Sequence, residues 1–318
     1  MGERTVTGGV VRFVLQRLVS GAVVVWGAAT LTFFAVHLVP GDTVAALLGP
    51  GTPVTPELRH QILADSGLDD PLPVQYAHSM GDLLSGDLGR SYQLNQPVGD
   101  LLSGQVMPTV QLALCALVTA LLLAVLAAVV TAGRGRTGRT IASAVELLVV
   151  SVPSFWLGIV LLTVFSFHHP FFPAAGADGA AALVLPTLAL ALPLAGVLAQ
   201  VIRQELEQAD ARPFALTARA RGLGETRLLL RHTLRHALLP VSTLSGFLLG
   251  GLFGGAVLIE NIFARPGLGR VLVRAVDSRD LPVVTALVLL SAVAFVVINI
   301  VVDLLHPVID ARLREVTP

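Results

Sequence analysis

The chain has 318 residues, is 54% hydrophobic and only 13% charged, and sets 21 basic residues against 21 acidic ones. Soluble domains carry about a quarter charged residues, so this composition excludes a water-covered globule and indicates a helical protein that crosses a membrane repeatedly. Every basic residue is arginine; a phosphate-binding P-loop needs a lysine and Schiff-base chemistry a lysine amine, so neither resides in this polypeptide.

A membrane-crossing helix needs about 20 consecutive apolar residues, and six stretches satisfy this: 18–39, 109–132, 147–167, 183–202, 238–259 and 283–302. Arg4, Arg12 and Arg17 precede the first, as in a signal peptide. Its apolar run is too long for such a leader and no small-residue cleavage site follows, so it reads as a retained span. Residues 1–17 then form a cytoplasmic N-terminal segment. Segment 40–108 is too long and polar for a hairpin between spans. It carries eight acids (Asp42, Glu57, Asp65, Asp69, Asp70, Asp82, Asp87, Asp100) against Arg59 and Arg90, and its Gly and Pro residues mark turns around a short helix expected at 56–66. It reads as a small outer excursion, either a solvated acidic loop or a docking surface.

Residues 109–318 hold the remaining five spans. Cys115 lies inside the second, where the chain's only cysteine can form no internal disulfide and serves as a small apolar filler. Proline interrupts the third span at Pro153 and the fourth at Pro186 and Pro193, each removing a backbone hydrogen bond and favouring a kink. Ser151, Pro153, Ser154 and Trp156 are candidates to line a path through the membrane. Glu146, at the cytoplasmic start of the third span, is expected to pair with the neighbouring loop of Arg134, Arg136 and Arg139. His168 and His169 are adjacent and lack convergent partners, so no metal site is expected.

Segment 203–240 is the most distinctive part of the chain. It holds seven arginines between two apolar spans. Arg212-Pro213 suits a helix start, and the run Thr217, Ala218, Arg219, Ala220, Arg221 suits a narrow helix. Gly222 and Gly224 suit a reversal through positive φ, after which a second helix containing His232 and His236 leads into the fifth span through Pro240. Simple enrichment of positive charge on the inner side would explain the arginines, but not the Gly-x-Gly turn or the fixed approach to Pro240. The fifth span repeats glycine at Gly246, Gly250 and Gly254 and at Gly251 and Gly255. Such spacing allows close helix approach, either in packing within the subunit or along a path lined by Gly250 and Gly254. Beyond it, Glu260 is expected to meet an arginine of the stretch 265–279. There Leu268, Val271, Leu272 and Ala275 have the spacing of an amphipathic rim helix. Glu260, Asn261, Pro266, Gly267 and Asp280 are candidates for an outer gate. With both termini inside, fifteen of the 21 arginines fall on inner segments, which orients the bundle by the positive-inside rule.

Several sequence words recur along the chain in a fixed order: Val39-Pro40-Gly41-Asp42, Gly86-Asp87-Leu88-Gly89-Arg90-Ser91, Ser151 through Gly158, Thr217–Gly222 with His232 and Arg235–Pro240, Glu260-Asn261-Ile262-Phe263, Pro266-Gly267-Leu268-Gly269, Arg279-Asp280-Leu281-Pro282, and Asp303 with Asp310. Together they resemble the bacterial ABC importer permeases of the dipeptide/oligopeptide/nickel class, in particular their B-type subunit. Leu216, His236 and Ala311 depart from the usual pattern. The resemblance implies an all-α membrane protein of the type I ABC importer permease fold, with six transmembrane helices, cytoplasmic termini, a coupling loop at 203–237 and a cytoplasmic tail at 303–318. It implies a multi-pass transport subunit of the bacterial cytoplasmic (inner) membrane and not an enzyme. Its partners would be a second permease, two cytoplasmic ATPases that bind the ATP and Mg, an extracytoplasmic solute-binding protein and the surrounding lipid, with no nucleic acid. Alternating access would carry dipeptides or oligopeptides, or in the same architecture nickel, a metal chelate, glutathione or an opine. An intramembrane hydrolase built on Ser151 or Ser154 with His37 lacks any Gly-x-Ser-x-Gly or His-Glu-x-x-His pattern. An ATP-independent carrier would leave the basic loop without a role.

Overall fold

The structure, a computed structural model, describes residues 3–38, 55, 70–91, 93–131, 135–177, 179–210, 212–229 and 233–309. The expected helix at 56–66, the motif Val39-Pro40-Gly41-Asp42, Arg134, His232 and the tail from Asp310 lie outside the described residues. Among the described residues, five helices are long and apolar enough to cross a bilayer: α1 (Glu3–Leu38), α3 (Val98–Thr131), α6 (Ala181–Asp210), α9 (Leu234–Ile262) and α11 (Leu281–Ile309).

The third expected span, 147–167, is not one rod. It is a pair, α4 (Arg136–Ser151) and α5 (Ser154–Leu162), bent by 90° and completed by a π-helical turn at Thr163–His168. Pro153 is the cause. Its ring forces the preceding residue out of helical geometry, and Val152 accordingly sits at φ −83°, ψ 122°. A kink was the expectation; the observed break is complete because Val152 and Pro153 are both extended. By contrast, α6 runs through Pro186 and Pro193, and α9 through Pro240.

The chain forms two compact units, residues 1–108 with 267–297, and residues 109–266 with 298–318. The first contains α1, the outer excursion and α10 (Leu268–Asp277). The excursion holds α2 (Leu72–Ser85), which starts after Pro71 and ends at left-handed Gly86. A two-residue antiparallel ribbon follows, β1 (Arg90–Ser91) with β2 (Gln96–Pro97), a small exception to the all-helical expectation. Thr30 and Tyr76 share a hydroxyl hydrogen bond of 2.8 Å, the Tyr76 ring meets Phe33 edge-on at 5.4 Å and stacks on Phe34 at 6.3 Å, and His37 bonds Gln75, so α2 rests on α1 largely through aromatic contacts. The ribbon is tied elsewhere in the sequence: the Ser91 hydroxyl donates to Asp280 Oδ2, and Gln93 Nε2 donates to the Ser278 carbonyl.

The second unit is built on small residues. Ala116, Ala120, Ala124 and Ala128 repeat every four residues along α3, each at most 3% exposed. They form one stripe that packs with Leu185, Ala189, Leu198 and Ile202 of α6 and with Ala237, Val241, Leu252, Ala256 and Ile259 of α9. Leu114, Val118, Leu122 and Leu126 lie two positions along and are roughly half exposed. Small residues inside and large ones outside is the arrangement expected where lipid replaces water, because close backbone approach, not burial of bulky groups, favours helix association.

Candidate functional site

The segment after α6 is shaped by its backbone. Arg212 is extended at φ −80°, ψ 151°, and Pro213 then opens α7 (Pro213–Ala220). Proline at the first helical position sacrifices an N–H that has no partner there. The helix ends as the sequence demands. Gly222 adopts φ +78°, its N–H donates to the Arg219 carbonyl at 2.9 Å, and Leu223 N–H donates to Ala218 at 3.1 Å. This pair of bonds is the Schellman closure, in which a left-handed residue lets the chain turn back and satisfy orphan carbonyls. Gly224 is not left-handed, contrary to expectation. Its carbonyl instead accepts the N–H groups of Arg227 and Leu228, opening the one-turn helix α8 (Glu225–Leu228).

Ala215 and Leu228 are buried anchors of this segment, while Leu216, Thr217, Ala220, Arg221, Gly222 and Gly224 face outward. Ala218 and Arg219 are half-buried. Thr217 Oγ1 donates back to the Pro213 carbonyl at 3.1 Å, and Phe214 stacks obliquely on His236 at 5.3 Å. That contact, between α7 and the first turn of α9, fixes the angle of the projecting helix. α9 then proceeds through Pro240 as one element. The segment therefore presents a short, rigid, basic helix with Leu216, 66% exposed, at its surface. The sequence reading noted Leu216 only as a departure from a pattern.

Glu146 finds a partner beyond the loop before it. Its carboxylate lies 2.7 Å from Arg203 Nη2 of α6, with the two side chains 8% and 19% exposed. Arg203 Nη1 also donates to Ser143 Oγ at 2.7 Å, and at the rim Arg139 pairs with Glu207 at 3.5 Å. Of the arginines expected to meet Glu146, Arg139 turns to Glu207 and Arg134 lies outside the described residues; the partner seen comes from the neighbouring helix.

The outer-gate candidates divide. Glu260, fully buried, accepts a 2.6 Å hydrogen bond from Thr109 Oγ1, and the Arg265 N–H donates to its carbonyl at 2.8 Å. Arg265, 3% exposed, donates from Nη2 to Gln111 Oε1 at 3.1 Å. Burial draws the Arg265 pKa below its ordinary value and the Glu260 carboxylate pulls it back up; a guanidinium starts high enough to remain charged. Arg265, within the expected stretch, thus acts electrostatically on Glu260. Asn261 Nδ2 turns back to the Val257 carbonyl, and Pro266 ends the second unit. Gly267 precedes α10, and Asp280, in the first unit, receives the Ser91 hydroxyl. Two sequence words singled out separately, Gly86–Ser91 and Arg279–Pro282, therefore meet.

The path candidates lie on three elements, α4, α5 and α9. Ser151 donates to the Leu147 carbonyl at 2.7 Å on one arm of the bend; Ser154 starts the other arm after Pro153, where Trp156 is 52% exposed. Gly254 opens onto free space, and Gly250 is half-buried.

Several helices long and apolar enough to cross a membrane, one further pair broken at proline, and a short basic helix between α6 and α9 are the features of a polytopic membrane protein. Residues 120–315 match the family described as binding-protein-dependent transport system inner membrane component, and residues 10–113 match its N-terminal companion domain. The chain is 35% identical over 305 residues to the glutathione transport system permease protein GsiC of Escherichia coli O6:H1, covering 95% of this chain and 98% of that one. Its identity to the protein of the same name from Salmonella choleraesuis is 36% over the same coverage. The MetNI methionine ABC transporter in an inward-facing form shares the fold, with a TM-score of 0.55, 18% identity, and coverage of 66% of this chain and 96% of that chain. The chain belongs to the binding-protein-dependent ABC importer permeases, multi-pass proteins of the inner membrane. That membership implies ATPase, binding-protein and second-permease partners.

Proposed function

We propose that this permease imports small peptides and takes its power through α7. The observation that carries the reading is the construction of that helix. It is opened by Pro213, closed by the left-handed Gly222, angled by the Phe214–His236 contact and followed by an α9 that continues through Pro240. Such an element transmits displacement instead of absorbing it. Leu216, Thr217, Ala220 and Arg221 form the face offered to a cytoplasmic ATPase, with Arg219 and Ala218 beside them. Two ATPase subunits bind ATP and Mg, and a second permease, expected to be a different chain, completes the membrane pore. The arginine distribution orients both termini to the cytoplasm. Glutathione, a tripeptide, is the favoured cargo within the peptide class because the relatives at 35–36% identity carry that name.

The test is reconstitution with the cognate ATPases, second permease and binding protein in liposomes. ATP-dependent uptake of labelled dipeptide, tripeptide and glutathione is expected, with Ala218→Asp and Gly222→Asp leaving the protein in the membrane and abolishing uptake. Undiminished uptake in both variants would overturn the coupling role. Competition by glutathione but not by other tripeptides would narrow the cargo; indifference to all peptides would remove the peptide reading.

A further inference from the structure

We propose that Glu146 and Arg203 are positioning residues of the transport cycle: their buried ion pair locks the inner arm of the broken span, α4, onto the lower half of α6, so that displacement of α7 moves both together. This deepens the coupling reading above and rests on it.

Three observations converge. The first is the joint itself. Arg203 grips α4 three times, at 2.7 Å from Glu146 Oε2, at 2.7 Å from Ser143 Oγ and at 3.4 Å from the Arg139 carbonyl. The Glu146 contact is an ion pair, and the hydrogen bonds to Ser143 Oγ and the Arg139 carbonyl give the guanidinium its direction. The second lies one face higher. A Cβ on Gly196 of α6 would stand 2.7 Å from Val150 Cγ2 and 3.1 Å from the Glu146 carbonyl oxygen, so α6 and α4 approach almost to backbone contact just before the break at Val152-Pro153. The third is what is missing around the joint. A cavity of about 360 Å³, lined by Arg139, Ser143, Leu147, Gln200, Arg203 and Gln204 together with Glu207, opens beside it, and Gln200 Nε2 is buried there without a partner. Packing does not hold this flank. The ion pair and its hydrogen bonds do.

Stability alone would not select such a joint, because well-packed apolar residues commonly match or exceed a buried ion pair. A directional bond between two arms that must keep register under load is a better use for it. Arg203 lies seven residues before the end of α6 at Asp210, about 10 Å along the axis, and α7 begins just beyond. Glu146 lies on α4 shortly before the 90° bend. The lock thus joins the element from which the coupling helix hangs to the arm that leads into the bend.

The experiment compares the fully assembled transporter in liposomes carrying Glu146→Gln, Arg203→Gln, the exchange Glu146→Arg with Arg203→Glu, and Gly196→Val. It measures solute moved per ATP hydrolysed, together with the amount of assembled complex. Each single substitution is expected to lower solute per ATP about five-fold or more, the lower end of ordinary coupling between sites, while ATP hydrolysis continues. The exchange should restore most of the ratio. Gly196→Val, which wedges the helices apart and leaves the charges in place, should lower it as well. A ratio unchanged in the single variants, or an activity that falls only in step with the amount assembled, overturns the proposal. If the exchange does not assemble, an unchanged ratio in Gly196→Val does the same. Loss of transport in Ala218→Asp with none in Glu146→Gln would sink the lock and spare the coupling helix. Full transport in Ala218→Asp would sink the coupling reading itself.

Discussion

At the scale of single residues, burial of charge is the costliest feature of this chain. Glu260 is fully enclosed, Thr109 supplies a short bond to its carboxylate, and Arg265 acts on it electrostatically. Replacing Arg265 with Gln removes a cation that acts on that carboxylate and is expected to lower the thermal midpoint of the detergent-solubilised protein, because weakening the compensation of a buried charge is destabilising. Thr109→Val removes one donor and should cost about 1–3 kcal/mol. Arg279 presents the opposite case. It sits at φ +58° at the end of α10, and the Asp280 N–H closes the helix by bonding to the Ala275 carbonyl at 2.7 Å. Glycine is the residue that this left-handed position favours, so Arg279→Gly is expected to raise stability by about 0.5–1 kcal/mol in the same melting measurement. The sequence showed that Glu260 needs an arginine. It did not show Thr109, because a threonine 151 residues away carries no charge pattern to match.

At the scale of elements, the helix ends repeat one device. α2, α7, α9 and α10 each close with a left-handed residue, at Gly86, Gly222, Ala264 and Arg279. Glycine announces two of these in the sequence; the alanine and the arginine announce nothing, because their strain is offset only by contacts in the folded state. Glycine inside α9 has an equally uneven meaning. A Cβ on Gly246 would come within 2.5 Å of Val302 Cγ2, whereas one on Gly254 would meet nothing within 4 Å. Gly246→Leu should therefore cost about 1–3 kcal/mol through overpacking, and Gly254→Leu should leave the melting temperature nearly unchanged. Equal effects at the two positions would contradict this packing. The third span teaches the same lesson in reverse. Its composition satisfies the hydropathy test, yet two extended residues at Val152 and Pro153 turn it through a right angle.

At the scale of the molecule, apolar side chains outnumber what a helical bundle of this size can enclose. Leu122 is 67% exposed, Leu148 67%, Phe247 68% and Trp156 52%, and water cannot cover such surface without cost. Bilayer and partner subunits must cover it. No P-loop can form in a chain without lysine, so the energy for concentrative uptake enters from outside. The chain reconstituted alone is accordingly expected to show neither ATP hydrolysis nor accumulation of solute against a gradient. Both should appear when the ATPases, the second permease and the binding protein are added. Uptake by the isolated chain would assign it to the secondary carriers.

Hydropathy, arginine placement and turn-forming residues are local quantities, and they determined the number of apolar segments, the projecting basic loop and its Pro213-to-Gly222 limits. Pairings between distant residues are not local. Arg203 was chosen over Arg139 for Glu146, Asp280 for Ser91, and an alanine face of α3 over its leucine face for the interior, by which helices the fold sets side by side. Charge and hydrophobicity say that a group needs a partner, whereas only tertiary packing selects one among several of equal chemistry.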